Sequence, residues 1–404
     1  MGLPHGDLES GLRHCGRCSG VDGGLSVTRR RACEAYSSLL PATRGPAAVT
    51  IALDQPAVSA AASHAGIRRW LWAVAFLVFV MVVVGGATRL TGSGLSITEW
   101  RPVTGAIPPL NDAAWALEFE KYRLSPQYQL LNTGMELADF KFIYWWEWGH
   151  RQLGRFIGLL YLAGFVVVLL RRSMPWRETA ILFGMGLLLG LQGTIGWIMV
   201  ASGLEPGMVA VAPVKLTLHL TFAGFFFASV IAFATWLTPR RRIEPAWGRA
   251  AAWFLLLLLF VQIALGGLVA GSKAGFTFNT WPLMDGALVP PSATLFAGTP
   301  VWENFVDNVA LVQFNHRIGA YILLAFALWH MLALRRAAPS SGAAKRATAI
   351  LGLVLAQSAL GIVTLLLVVP LWAGLAHQAL GFTVLAMGVV HLTRTQQAER
   401  SIRA

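Results

Sequence analysis

Eight stretches of this chain stay apolar over a membrane-spanning length, with polar and charged connections between them. They run at about Trp70–Thr88, Phe142–Leu170, Thr179–Ser202, Pro213–Leu237, Ala250–Gly271, Ala310–Leu334, Ala347–Val369 and Leu371–Leu392. A helix rises about 1.5 Å per residue, so each is long enough to cross roughly 30 Å of hydrocarbon. The pattern predicts an all-α integral membrane protein of eight transmembrane helices. Pro370 sits between the last two stretches and predicts a tight hairpin there. Residues 1–67 show no sustained apolar period and are rich in Gly, Ala, Ser and Arg, which predicts a disordered cytoplasmic leader. Two connections are long, about 89–141 and 272–309, and their glycines and prolines predict ordered turns.

Comparing the chain with itself uncovers a repeat of four stretches. At an offset of 181, Gly85, Gly86, Gly94, Trp100, Gly105, Ala106 and Pro109 match Gly266, Gly267, Gly275, Trp281, Gly286, Ala287 and Pro290. His150-Arg151 matches His316-Arg317 at 166, Gln192 and Gly196 match Gln357 and Gly361 at 165, and His219 matches His377 at 158. An even number of spans per repeat leaves both copies in the same orientation. The expected architecture is therefore two tandem parallel four-helix bundles, residues 68–237 and 238–404, related by a pseudo-twofold along the membrane normal. The Gly85-Gly86 and Gly266-Gly267 pairs permit close helix contact, within one chain or between copies in a homo-oligomer.

Composition agrees. Of the 404 residues, 56% are hydrophobic and 13% charged, against about 25% charged in soluble domains. An ordinary cytosolic enzyme, a disordered chain and a disulfide scaffold are excluded. The net charge of +13 need not imply nucleic acid, because the bases sit at alternate connections: Arg171, Arg172 and Arg177; Arg240, Arg241, Arg242 and Arg249; Arg335, Arg336, Lys345 and Arg346. The positive-inside rule then places both termini in the cytoplasm and the two long connections outside. Cys15, Cys18 and Cys33 all precede the first span, so the membrane domain has no disulfide. A lone CxxC is a weak zinc signal. Asp7, Glu9, Asp22, Glu34 and Asp54 make the leader too acidic for a good mitochondrial targeting segment, which favours the bacterial plasma membrane.

Six of the nine histidines lie in the spans, and four are the repeat-related set His150, His219, His316 and His377. Each is expected five to eight residues from the external start of its helix, roughly 8–12 Å deep. Ionisable residues at such depth are costly and usually functional. A histidine pair on facing helices suits bis-imidazole heme iron, whereas a bare metal would need further ligands that the spans do not supply. Glu147 stands three residues before His150, where the second repeat has Gln313. This asymmetry predicts that one half reacts and the other holds a cofactor; the competing reading is a helix-end ion pair with Arg151. Arg151 and Arg317 also suit heme propionates. His330 and His391 each follow a repeat histidine by 14 residues, a spacing known from diheme bundles. Their closeness to Arg335 and Arg394 instead favours packing or interfacial roles.

Four stretches carry a resemblance: Gly92-Ser93-Gly94-Leu95-Ser96-Ile97-Thr98-Glu99-Trp100, Trp145-Trp146-Glu147-Trp148-Gly149-His150-Arg151, Asn279-Thr280-Trp281-Pro282-Leu283-Met284-Asp285-Gly286 and Phe314-Asn315-His316-Arg317. Over about residues 68–393 the chain resembles the heme A synthases of alphaproteobacteria and mitochondria. The resemblance implies oxidation of a porphyrin methyl of heme O to a formyl, giving heme A for terminal oxidases. It implies that His150 and His219 flank the substrate heme, that His316 and His377 hold a permanent heme b, and that Glu147 is catalytic. Heme O from heme O synthase, an electron acceptor and the lipid bilayer are the implied partners. The cysteine pair that some members carry in an external loop is missing here. Two readings compete: a cytochrome b-type electron carrier using His330 and His391, and a heme transporter.

Overall fold

In a computed structural model of the chain, residues 64–238 and 248–400 are described. The leader, its cysteines and Arg240–Arg242 lie outside the described residues. Eight helices long and apolar enough to cross a membrane occur among them. They are α1 (Ala65–Leu90), α4 (Leu137–Leu170), α5 (Trp176–Gly203), α6 (Pro213–Trp236), α7 (Arg249–Gly271), α9 (Val309–Ala337), α10 (Gly342–Leu366) and α11 (Leu371–Arg400). Several begin about five residues before the apolar stretches do, as α1, α4 and α10 show. Helix hydrogen bonds continue past the hydrocarbon, where polar residues cost nothing. Ends are set instead by caps: Asn308 accepts from the Leu311 amide at 3.1 Å and Ser341 from the Ala344 amide at 3.1 Å. The hairpin before α11 is only Leu367–Pro370, with Val368 and Val369 at φ of 57° and 55°. Left-handed backbone is unfavourable for β-branched residues. Here Val369 is held by its amide on the Thr364 carbonyl at 2.8 Å.

The first long connection is more regular than its glycines and prolines imply. It forms α2 (Asp112–Arg123) and α3 (Pro126–Leu131), whereas the second has only the short α8 (Ser292–Leu295) and two 3-10 turns. An aromatic cluster fixes α2 and α3 on the start of α4. Trp115 meets Tyr144 edge-on at 5.0 Å, and Tyr122 stacks on Phe140 at 5.3 Å.

Helix contacts within the two halves correspond. In the first, α1 touches α4 and α6, and α5 touches α4 and α6; in the second, α7 touches α9 and α11, and α10 touches α9 and α11. Between halves, α6–α7 has its counterpart in α1–α11, and α6 meets α11 directly. Exchanging the halves leaves this pattern unchanged, as a pseudo-twofold requires. Phe226, Phe227, Val230 and Ile231 of α6 bury themselves with Phe382 and Leu385 of α11, where the two halves share one core. Phe227 and Phe382 meet at 5.5 Å.

The glycine pairs are spent inside the chain. A Cβ at Gly86 would lie 3.1 Å from Leu375, and one at Gly267 would lie 3.1 Å from the Thr217 Cα. Leu375 and Thr217 are themselves equivalent at the offset of 158. Arg89 of α1 also donates to the Ala270 carbonyl at the end of α7. The closest backbone approach is at Gly271, where a Cβ would fall 2.6 Å from the Pro213 Cα. Gly271→Ala should therefore destabilise the half–half seam by about 1–3 kcal/mol, seen as a lower Tm in detergent. Gly352→Ala, whose Cβ meets nothing within 4 Å, should stay within about 0.5 kcal/mol of the parent.

Candidate functional site

The four repeat histidines stand on four different helices and are backed by glycines from their neighbours. A Cβ at Gly196 of α5 would lie 2.7 Å from the His219 ring, and one at Gly361 of α10 would lie 2.8 Å from His377. Gly85 of α1 and Gly266 of α7 approach His150 and His316 at 3.1 and 3.2 Å, His150 turning its Nε2–Cδ2 edge and His316 its Cε1–Nδ1 edge. At Gly196 and Gly361 a side chain would occupy the imidazole's room, and at Gly85 and Gly266 it would press the ring by a few tenths of an ångström. His316 and His377 face one another with ring centroids 6.5 Å apart at 80°. His219, His316 and His377 lie within two turns of their helix starts, as expected. His150 lies nearly four turns along α4, because that helix begins at Leu137.

Three of the four rings have a glutamine beside them. Gln192 Nε2 donates to the His219 carbonyl at 3.0 Å and lies 3.1 Å from Nδ1. Gln357 Nε2 donates to the His377 carbonyl at 2.9 Å and lies 3.4 Å from Nε2. Gln262 of α7 does the same for His316, 3.0 Å from its carbonyl and 3.1 Å from Nδ1. The first two were visible as a matched pair in the repeat. Gln262 escaped notice because its equivalent at the offset of 181 is Met81, so the repeat gives it no partner. Its signal was a lone amide inside an otherwise apolar span.

Above the histidines, each half closes its external connection with the residue pair that precedes or follows the histidine. Glu147 is buried, and its two oxygens accept four hydrogen bonds. Oε2 accepts from Ser96 Oγ and the Ile97 amide, both at 2.8 Å, and Oε1 from Arg151 Nη2 at 2.6 Å and Nε at 3.1 Å. The helix-end ion pair is thus formed, together with bonds to the loop. In the second half Gln313 Nε2 donates to the Ala274 and Thr277 carbonyls at 2.8 and 2.7 Å, while its Oε1 accepts from Arg317 at 2.8 Å. A carboxylate gathers loop donors; an amide gathers loop acceptors. The arginines act alike in both halves. Arg151 donates to the Ile97 carbonyl at 2.9 Å and Arg317 to the Phe278 carbonyl at 2.8 Å, and Ile97 and Phe278 are repeat equivalents. Arg151 also donates to the Glu99 carbonyl. Much of each guanidinium is therefore engaged in holding a loop, although Nε of Arg317 is buried without a partner. A cavity of about 240 Å³ opens beside this first-half clamp, bordered by Glu99, Arg101, Glu118, Tyr144, Arg151 and Arg155. The Asn279 motif serves its own loop: its amide donates to the Gly275 and Leu365 carbonyls, tying the loop to the end of α10.

His330 and His391 are not near this layer. Both are buried, and their Nε2 atoms hydrogen-bond to each other at 2.9 Å. An iron between two imidazoles needs about 4 Å, two bonds of roughly 2 Å. This pair is joined ring to ring within the bundle.

No group of three or more His, Cys, Asp or Glu able to hold a metal ion occurs among the described residues. Two imidazoles suffice only for a metal that brings its other ligands with it, as porphyrin iron does. His316 and His377, facing one another, fit that demand, and all four histidines stand in glycine-lined clefts, with unpartnered polar atoms at Gln192 Oε1, Gln262 Oε1, Gln357 Oε1 and His377 Nδ1.

Comparison with known proteins agrees with this chemistry. The family COX15-CtaA, described as cytochrome oxidase assembly protein, matches residues 68–389. A heme A synthase of Methylobacterium sp. (strain 4-46) is 60% identical over 83% of this chain and 94% of its own length. Those of Methylobacterium nodulans and Beijerinckia indica are 62% and 49% identical, over 78% and 86% of this chain and 88% and 99% of theirs. The chain is a multi-pass membrane protein that belongs to the COX15-CtaA family of cytochrome oxidase assembly proteins, the family of the heme A synthases.

Proposed function

We propose that this enzyme oxidises a ring methyl of heme O to a formyl, giving heme A. The observation that carries the reading is the repeat with a single break: two histidine pairs in matching glycine clefts, and one buried carboxylate, Glu147, on the first pair's helix alone. In this reading His150 and His219 bind the substrate heme, and His316 and His377 bind a resident heme b. When bound, that heme b supplies one-electron redox chemistry. With an outside acceptor taking the electrons, the oxygen comes from water: the methyl group plus one water gives the formyl, four electrons and four protons, by way of the alcohol and a geminal diol that loses water. An electron acceptor outside this chain takes those electrons.

Glu147 is the residue on this chain suited to receive protons released at the substrate. Its Oε1 is bound to Arg151, while Oε2, held by a hydroxyl and an amide of the loop, is the oxygen without an ionic partner. Arg151 fixes the carboxylate's orientation and closes the loop over it. The neighbouring polar cavity gives the proton a way out. Heme O is passed on by heme O synthase in this scheme, within a bacterial plasma membrane and with both termini cytoplasmic, as the distribution of arginines supports. The glycine seams used within the chain leave a homo-oligomer to other surfaces.

Glu147→Ala should leave both hemes bound and lower formyl formation by about 10²–10⁴-fold. Chromatography and mass analysis of hemes extracted from the variant check this, and full activity would remove Glu147 from catalysis. In protein purified from cells that make heme O, the same extraction should yield heme b together with heme O, heme A or a hydroxylated intermediate. His316→Ala or His377→Ala should lose heme b selectively. Heme b alone in the parent, depleted by changing His330 or His391, would establish an electron carrier instead.

A further inference from the structure

The two halves are not equally closed at their sides. Of the eight long helices, α5 is the least enclosed. Between Met185 and Ser202 none of its residues is buried, whereas Val354 of α10, the repeat equivalent of Leu189, is. α4 and α5 also touch far less than their counterparts α9 and α10 do. They meet toward the turn that joins them. There Tyr161 Oη donates to the Leu182 carbonyl at 2.7 Å, a Cβ at Gly186 would lie 3.3 Å from the Tyr161 ring, and Phe165 meets Phe183 at 6.1 Å. At the opposite end the first loop bridges them. Trp100 meets Trp197 of α5 at 6.2 Å, and the Arg151 guanidinium of α4 lies 5.9 Å from the same Trp100 ring.

Between these two closures the seam is bare. Gly186 and Trp197 mark the side of α5 that faces α4, and at 3.6 residues per turn Gly190 and Gly193 fall within about 30° of it. Gly158 lies one turn from Tyr161 on α4. A Cβ at Gly158, Gly190 or Gly193 would meet nothing within 4 Å. The second half fills the same places: Leu324 stands for Gly158, Leu351 for Gly186, Leu355 for Gly190 and Ser358 for Gly193. Leu324 and Leu351 pack against the core. Three leucine side chains present in one seam are thus absent from the other. The gap runs roughly 16 Å along α5 from Gly186 to Trp197. It opens between the helix that carries His150 and the helix whose Gly196 backs His219.

Resting on the heme reading above, we propose that the α4–α5 gap is the portal by which the substrate heme enters its site from the bilayer and the product returns to it. Heme O is a flat porphyrin that carries a long isoprenoid chain. Each methylene of such a chain favours lipid over water, so the molecule reaches a site most readily through a wall open to lipid. Glycines leave this wall without side chains over the level of the first histidine pair. The chain of a bound heme can lie in the gap while its ring sits between His150 and His219. A resident cofactor needs the reverse, and the leucines of the α9–α10 seam supply it.

Uptake of heme O from loaded vesicles by the protein in proteoliposomes tests this. It is followed by low-spin absorbance, with the hemes identified by extraction. Gly190→Leu together with Gly193→Leu should slow uptake about 10-fold or more. Heme b content, Tm and the oxidation rate of heme O already bound should not change, a split that a general loss of structure would not produce. Gly193→Leu alone should slow uptake to a smaller extent. Gly184→Leu, on the opposite side of α5 where a Cβ also meets nothing within 4 Å, should leave it as in the parent. Unchanged uptake in the double variant, equal slowing by Gly184→Leu, or slowing only by Thr104→Trp in the polar cavity under the loop would overturn the portal alone. Heme O binding unaffected by His219→Ala would overturn the underlying assignment of the first pair.

Discussion

Polar groups inside a bilayer must find partners within the protein, and four imidazoles are the main ones that this fold has to accommodate. A glycine on the neighbouring helix stands against each ring, and at His219, His316 and His377 a glutamine one turn from that glycine satisfies the histidine's backbone carbonyl and lies against the ring. Helix spacing in each half follows from these contacts. The half–half seams at Gly86, Gly267 and Gly271 repeat the device without the histidine, so the same small-residue logic sets both the histidine clefts and the joint between bundles.

Duplication explains the frame, and departures from duplication explain the chemistry. Two breaks in the repeat stand out: Glu147 against Gln313, and Met81 against Gln262. Both exchange a group without changing its size much, so the packing survives while the hydrogen-bonding sense changes. Glu147 collects donors from the first loop, where Gln313 offers its amide to carbonyls of the second. The added helices α2 and α3 on the first loop give the first half a larger aromatic lid, anchored on Phe140 and Tyr144 of the helix that carries Glu147.

Much of this was legible before any coordinates. The eight spans, the four repeat histidines and the Glu147 break come from periodicity and self-comparison, because helices in lipid must be long, apolar and internally bonded. The loops were less legible. The helical character of Asp112–Arg123 rests on one buried face, Trp115 and Tyr122, which gains its stability only against α4. Arg151 and Arg317 suit propionates by type, yet in the folded chain they spend much of their capacity on the Ile97, Glu99 and Phe278 carbonyls. His330 and His391 carry the spacing of a heme pair, and only the fold reveals that their Nε2 atoms bond to each other.

The amino-acid sequence by itself determined the fold class, the repeat and the identity of the four histidines, since each depends on residue type at fixed spacing along a helix. Tertiary structure alone decided which atoms those side chains meet. Gln262 lies 54 residues from His316, and its contact depends on how α7 and α9 rotate against each other. That rotation is set by packing across the whole bundle, where no local pattern of residues records it.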